Sequence, residues 1–317
     1  MKEVQKKAWE ALAQVQQVIL GKERQVEEIF LAFLADGHIL LEDIPGVGKT
    51  TLARAFSRVL GLDYGRIQFT PDVMASDLTG FSVYSREKEE FIYQPGSIFC
   101  NLLLADELNR TSPKTQSALL EVMEEKQCTV EGITRKVPRP FLVIATQNPF
   151  GSAGTWRLPE AQTDRFMITL SMGYPDFESE LLMLQSPESR ERTEDLRPVL
   201  TGKLLLSMQR EVQQVYLKDT VARYLLELIT ATRKHPRIRR GASPRASLAL
   251  MKMAKASAWL AGRDYVTPED VREQFGYVTG HRLIPELPAG NEAIEKEQII
   301  RDIAGRVKMP SMGEGSR

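Results

Sequence analysis

Apolar residues recur every three to four positions over residues 3–20 and again over 23–35. This spacing predicts two amphipathic helices, punctuated by Gly21 and Lys22. His38-Ile39-Leu40-Leu41 is a short apolar run ending at a Pro/Gly turn, the pattern of a buried strand. Residues 50–60 return to helical spacing and close at Gly61. Short apolar runs at 66–69, 101–105, 141–146 and 167–170 read as further buried strands, with helical stretches such as 113–125 between them. Strands alternating with helices predict an α/β fold, a mostly parallel sheet covered by helices. Two hairpins interrupt the alternation. One spans 80–94, with β-rich arms at 81–84 and 91–93 joined by the charged tip 86–90; the other spans 128–137 and turns near Gly132.

The pattern changes after residue 185. Residues 186–200 are polar and charge-dense and read as a linker. Helical spacing then covers 201–217, 219–234 and 244–261, and Thr267-Pro268-Glu269-Asp270 opens another helix with Pro in its first turn. No strand signal of comparable strength is present there. The expected organisation is an α/β core at 1–185, the linker, a small all-helical domain at 201–305, and a polar flexible tail at 306–317.

The composition adds exclusions. The 317 residues carry 42 Lys plus Arg against 42 Asp plus Glu, so no net field draws the whole molecule to nucleic acid or an anionic membrane. Two cysteines and three histidines supply neither a disulfide framework nor a zinc cluster. The first twenty residues are charged and amphipathic, unlike a secretory leader. No apolar run approaches the ~20 residues that span a bilayer. A cytoplasmic, reduced setting is the expectation.

Three motifs carry chemistry. Pro45-Gly46-Val47-Gly48-Lys49-Thr50-Thr51 follows the first strand and opens a helix. A glycine loop in that context can wrap backbone N–H groups around phosphates, with the positive helix end behind it. Lys49 would reach the β- and γ-phosphates of ATP, and the Thr50 hydroxyl would ligate Mg²⁺. The usual first glycine of this pattern is replaced by Asp43. A carboxylate aimed at triphosphate would repel it, so Asp43 is expected to point away. The second motif is Leu102-Leu103-Leu104-Ala105-Asp106-Glu107, a strand delivering two carboxylates at its C-terminal end. Asp106 would hold Mg²⁺, and Glu107 would orient and deprotonate water. The third is Ala145-Thr146-Gln147-Asn148-Pro149, where Asn148 either bonds the γ-phosphate or lytic water, or simply ends its strand. Two arginines, Arg165 and Arg245, suit developing phosphoryl charge, although composition alone reads them as surface residues.

Taken in order, these residues resemble the AAA+ ATPases, and within them the MoxR family, over roughly residues 5–305. The runs ADELNRTSPKTQSALLEVMEE and GASPRASLALMKMAKASAWLAGRDYVTPEDV are the most specific parts of the likeness. The resemblance implies a P-loop NTPase core and a helical lid. It makes Asn148 sensor 1, Arg165 an arginine finger reaching the neighbouring subunit's ATP, and Arg245 sensor 2. Gly21 would lie near adenine, the hairpin at 80–94 would be a helix-2 insert, and the one at 128–137 would precede sensor 1. Arg110 faces a subunit interface or makes an internal ion pair. The resemblance further implies ring homo-oligomers, usually hexamers, and chaperone-like maturation of protein complexes beside a partner with a von Willebrand factor A (VWA) domain. Two other readings stay open. The basic run at 233–240 would suit a nucleic-acid motor or loader, against which the zero net charge argues. A nucleotide-gated scaffold with little turnover would have no need of Glu107 and Arg165.

Overall fold

The computed structural model describes residues 2–43, 46–148, 158–185, 193–286 and 292–310. Pro45, residues 186–192 of the expected linker and residues 311–317 of the expected tail lie outside them. The first part of the chain runs α1 (Glu3–Val18), α2 (Glu23–Leu34), β1 (Ile39–Glu42), α3 (Lys49–Val59), β2 (Tyr64–Gln68), α4 (Ala75–Thr79), the hairpin β3 (Phe81–Ser85) and β4 (Glu90–Gln94), and β5 (Leu102–Asp106). It continues through α5 (Pro113–Glu125), the hairpin β6 (Gln127–Val130) and β7 (Ile133–Lys136), β8 (Leu142–Gln147), the one-turn α6 (Glu160–Thr163), β9 (Ile168–Leu170) and α7 (Phe177–Gln185). The helical part contains α8 (Gly202–Gln214), α9 (Asp219–Lys234), β10 (Ile238–Arg240), α10 (Pro244–Leu260), α11 (Pro268–Thr279), β11 (Ile284–Pro285) and α12 (Glu292–Arg306).

Five strands form one sheet in the order β2-β5-β8-β1-β9, and every neighbouring pair is parallel. All five strands therefore end at one edge and begin at the other. Alternate residues of the central strands enter opposite cores. Ile39, Leu41, Leu102, Leu104, Leu142 and Ile144 join the cluster made with α1, α2, α3 and the helical part. Leu40, Leu103, Ala105, Val143 and Ala145 join the cluster under α5. Burial on both faces explains why these strands read as continuous apolar runs rather than alternating ones. The result is the expected αβα core with a helical unit packed against it through α2 and α10.

Two features add detail to the expected organisation. The helical part carries a short antiparallel pair, β10 with β11, which is too brief to leave an alternation in the sequence. The described end of the expected linker is docked: Val199 and Leu200 both donate to the Val59 carbonyl, and Leu200 is buried.

Candidate nucleotide site

The edge where the strands end is built from backbone. β1 leads through the glycine loop into α3. Gly46 and Gly48 take φ of 90° and 86°, in the left-handed region that favours glycine. A Cβ on either would meet nothing within 4 Å, so both glycines face open space. Gly48 caps α3, which places the first-turn N–H groups of Lys49, Thr50 and Thr51 at the loop. Val47 packs partly against the main core and fixes the loop's base. The Lys49 ammonium lies 3.4 Å from the Asp43 carbonyl.

Asp43 is buried, and its carboxylate accepts from Ser171 Oγ (2.7 Å), Met172 N (2.6 Å) and Gly173 N (3.0 Å). The expectation that it turns away from the loop is met. Its charge fastens the segment leaving β9. That segment also meets Gly21, where a Cβ would lie 2.4 Å from Ser179 Oγ and 2.6 Å from Asp176 Oδ2. Lys22 donates to the Tyr174 carbonyl at 2.6 Å, so Gly21 is held at the same edge as Asp43.

Asp106 ends β5, with both oxygens engaged: Oδ1 accepts from Thr146 Oγ1 at 2.7 Å and Oδ2 from Arg66 at 2.8 Å. A carboxylate has further lone pairs to offer. Glu107 follows with φ 57°, a left-handed conformation unusual for a side-chain-bearing residue, which turns the chain sharply at the strand end. Its N–H donates to the same Thr146 hydroxyl at 2.8 Å. Thr146 therefore fixes the two carboxylate residues relative to each other. Arg110 pairs with Glu107 at 2.9 Å, which places the internal ion pair left open by the sequence. Asn148 follows β8 at this edge, and its carbonyl accepts from Asn109 at 3.3 Å. Sequence reasoning missed Thr146 and Arg66, although Thr146 lies inside the third motif and Arg66 opens the run at 66–69 read as a strand. The two become visible only once β2, β5 and β8 are known to be neighbours.

The remaining cations stand elsewhere. β9 is parallel to β1 with Ile168 beside Ile39, and Met167 N donates to the His38 carbonyl at 2.7 Å. Arg165 precedes this start and so lies at the edge where strands begin. Its guanidinium donates to the Leu120 carbonyl at 3.0 Å and pairs with Glu124 Oε2 at 3.2 Å. Arg245, in the first turn of α10, pairs with Glu124 Oε1 at 2.8 Å. Within one chain, therefore, Arg165 and Arg245 meet each other over one carboxylate and do not converge with Lys49. The basic run at 233–240 is partly engaged internally: Arg233 donates to the Ala242 carbonyl, and Arg240 pairs with Glu160 at 2.8 Å. Among the described residues no helix is long and apolar enough to cross a membrane.

Residues 38–168 match the family described as ATPase family associated with various cellular activities (AAA), and residues 230–303 match the AAA lid domain. The chain is 48% identical over 300 residues to the uncharacterized protein YeaC of Bacillus subtilis, covering 95% of this chain and 94% of that one. It is 37% identical over 316 residues to chaperone MoxR1 of Mycobacterium tuberculosis, covering 95% and 82%. A crystal structure of a proposed ATPase from Cytophaga hutchinsonii superposes with a TM-score of 0.90 at 37% identity, covering 97% of this chain and 96% of that one.

Proposed function

The chain belongs to the MoxR family of AAA+ ATPases, and from that premise we propose that it hydrolyses ATP to ADP and phosphate at sites shared between neighbouring copies in a closed ring, usually a hexamer. The observation that carries this reading is the placement of Arg165 and Arg245 at the opposite edge of the sheet from the glycine loop. An arginine at the strand starts cannot serve a phosphate held at its own strand ends. It can serve one held by a second copy. A contact between unlike faces that closes on itself makes a ring.

The residues fit Mg²⁺ and ATP. The open space at Gly46 and Gly48 admits a polyphosphate against the N-terminus of α3, and Lys49 neutralises it. Thr50 and Asp106 are an oxygen donor pair of the kind Mg²⁺ takes. Bound there, Mg²⁺ would neutralise charge on the β- and γ-phosphate oxygens. Gly21 lies where the adenine end would rest. Glu107, held by its turn and by Thr146, orients water for in-line attack and takes its proton. Asn148 aligns the γ-phosphate or that water. Arg165 and Arg245 of the adjoining copy leave Glu124 to meet the charge that develops on the transferred phosphoryl group. Turnover drives chaperone-like remodelling or maturation of protein complexes in the cytoplasm, beside a VWA-domain partner. The relative named as a chaperone supports that role.

Two inactive variants test the shared site. Glu107→Gln lacks the base and keeps the arginine; Arg165→Ala lacks the arginine and keeps the base. Random 1:1 rings should regain about a quarter of wild-type turnover, because that fraction of interfaces joins a good base to a good arginine. If mixing restores nothing while each variant still assembles, the shared site is wrong.

A further inference from the structure

We propose that Arg282 is a positioning residue for Arg165, through which the helical part sets where that arginine stands. The proposal rests on the reading of Arg165 as the cation that faces a neighbour's phosphate. Arg282 ends the single turn after α11, and its side chain is 3% exposed. Every nitrogen of its guanidinium is engaged. Nε donates to Asp164 Oδ1 at 2.6 Å, and Nη2 donates to the carbonyls of Asp164 (2.9 Å) and Phe166 (2.6 Å). Nη1 donates to the Met167 carbonyl at 3.2 Å and to that of Val278. Three of the four carbonyls belong to residues 164, 166 and 167, on either side of Arg165.

Neighbouring groups act in the same sense. His281 Nε2 lies 3.3 Å from the Phe166 carbonyl; burial, with Arg282 beside it, holds this imidazole neutral, and its Nε2–H tautomer donates there. Ser243 Oγ donates to the Asp164 carboxylate at 2.9 Å. Two residues later Arg245 meets Arg165 through Glu124. Residues 164 and 165 are thus tied to the helical part at both side chains and along the backbone between them. A buried arginine with a paired carboxylate is seldom more stabilising than apolar packing of the same volume. What it supplies is a rigid planar fork that fixes several carbonyls at once. A lysine has the charge but only three donors on a flexible stem, so it can pair with Asp164 without bracketing Arg165.

The test is a double-mutant cycle on the assembled protein. Arg282→Lys should lower kcat for ATP about 10- to 100-fold, the cost of misplacing a catalytic group by about an ångström. Binding of an ATP analogue, measured with Glu107→Gln also present, should change less than about 2-fold, because Arg282 lies at the edge away from the glycine loop. With Arg165→Lys already in place, Arg282→Lys should cost less than about 2-fold more, since there is no arginine left to position. Asp164→Asn, which keeps the carbonyls and the Ser243 contact, should show the same dependence on Arg165 if Arg282→Lys proves insoluble. An equal fold loss in both backgrounds would mean a structural role and would overturn the proposal. So would wild-type turnover in Arg282→Lys beside an inactive Arg165→Ala. Wild-type turnover in Arg165→Ala itself would remove the reading of Arg165, and this proposal with it.

Discussion

The two edges of the central sheet are built on opposite plans. Where the strands end, the glycine loop is backbone around open space, and the nearby carboxylates are fixed by short-range bonds to Thr146 and Arg66. Where the strands begin, Arg165, Arg245, Arg282, Glu124 and Asp164 form a cluster of ion pairs that joins the sheet to the helices. On the proposed reading, one edge receives the anion. The other presents cations already provisioned with carboxylates, which a stronger anion can displace. The exposed pairs on Glu124 contribute little to stability in water, and that makes them easy to exchange. The proposed function joins the two edges by letting a second copy supply the arginines.

The sharpest way to break this comparison is to remove one half. Arg165→Ala should lower turnover by about 10³-fold or more, the range measured for arginines supplied across an interface, while ATP binding to the glycine loop is kept. Turnover assays alongside equilibrium binding of a labelled nucleotide check both parts; a parallel loss of binding would put Arg165 at its own chain's phosphate. Lys49→Ala should do the reverse. It should weaken binding about 10- to 100-fold, the worth of a charge-assisted bond, and should leave the Glu124 cluster undisturbed.

The strand-end edge is largely legible in the sequence. Gly46, Gly48 and Lys49 form one local run and Asp106 and Glu107 another, so strand, turn and helix in order locate each. The helices are legible for the same reason: α5 and α9 have the bounds that their spacing predicts. The other edge is not. Glu124 lies 41 and 121 residues from the arginines it pairs with, by the numbering of Arg165 and Arg245. Arg282 is 118 residues from Asp164. Nothing local distinguishes these charges from solvated ones. Only the parallel pairing of β1 with β9, and the return of α10 and α11 onto that edge, give them partners. The β10–β11 pair leaves no mark because two or three residues cannot show a period.

Asp43 offers a smaller test on the strand-end side. Its carboxylate bonds two backbone N–H groups and one hydroxyl in the segment after β9, so its role is structural although it sits in the phosphate-loop motif. Asp43→Ala should cost about 3 kcal/mol of stability by leaving those donors unpaired, and denaturant unfolding would measure it. Asp43→Gly should not tighten ATP binding by tens-fold. If it did, the carboxylate would be acting on the nucleotide after all.

The seam between α2 and α11 gives the finest distinction, because it joins the same two parts as Arg282 through a group that titrates. Glu28 is fully buried, pairs with Arg24 at 2.8 Å and accepts from Gln274 at 3.3 Å; its second oxygen has no partner. Burial raises its carboxyl from 4.5 to about 7, against the lowering effect of Arg24 and Gln274 and with smaller upward pushes from Glu27 and Glu273. Between those two values the folded chain holds a proton that the unfolded chain has released. The contribution of Glu28 is therefore fully present below about pH 4.5 and is lost as pH rises through about 7. Glu28→Gln keeps the acceptor for Gln274 and abolishes the titration. It should stabilise the protein by about 3 kcal/mol at pH 8 and by less than about 1 kcal/mol at pH 5. Unfolding curves at both pH values decide the matter, and equal effects at the two would show that Glu28 does not titrate with folding. If turnover at pH 8 also stays unchanged in Glu28→Gln, the arginine edge takes its position from Arg282 and not from the seam as a whole.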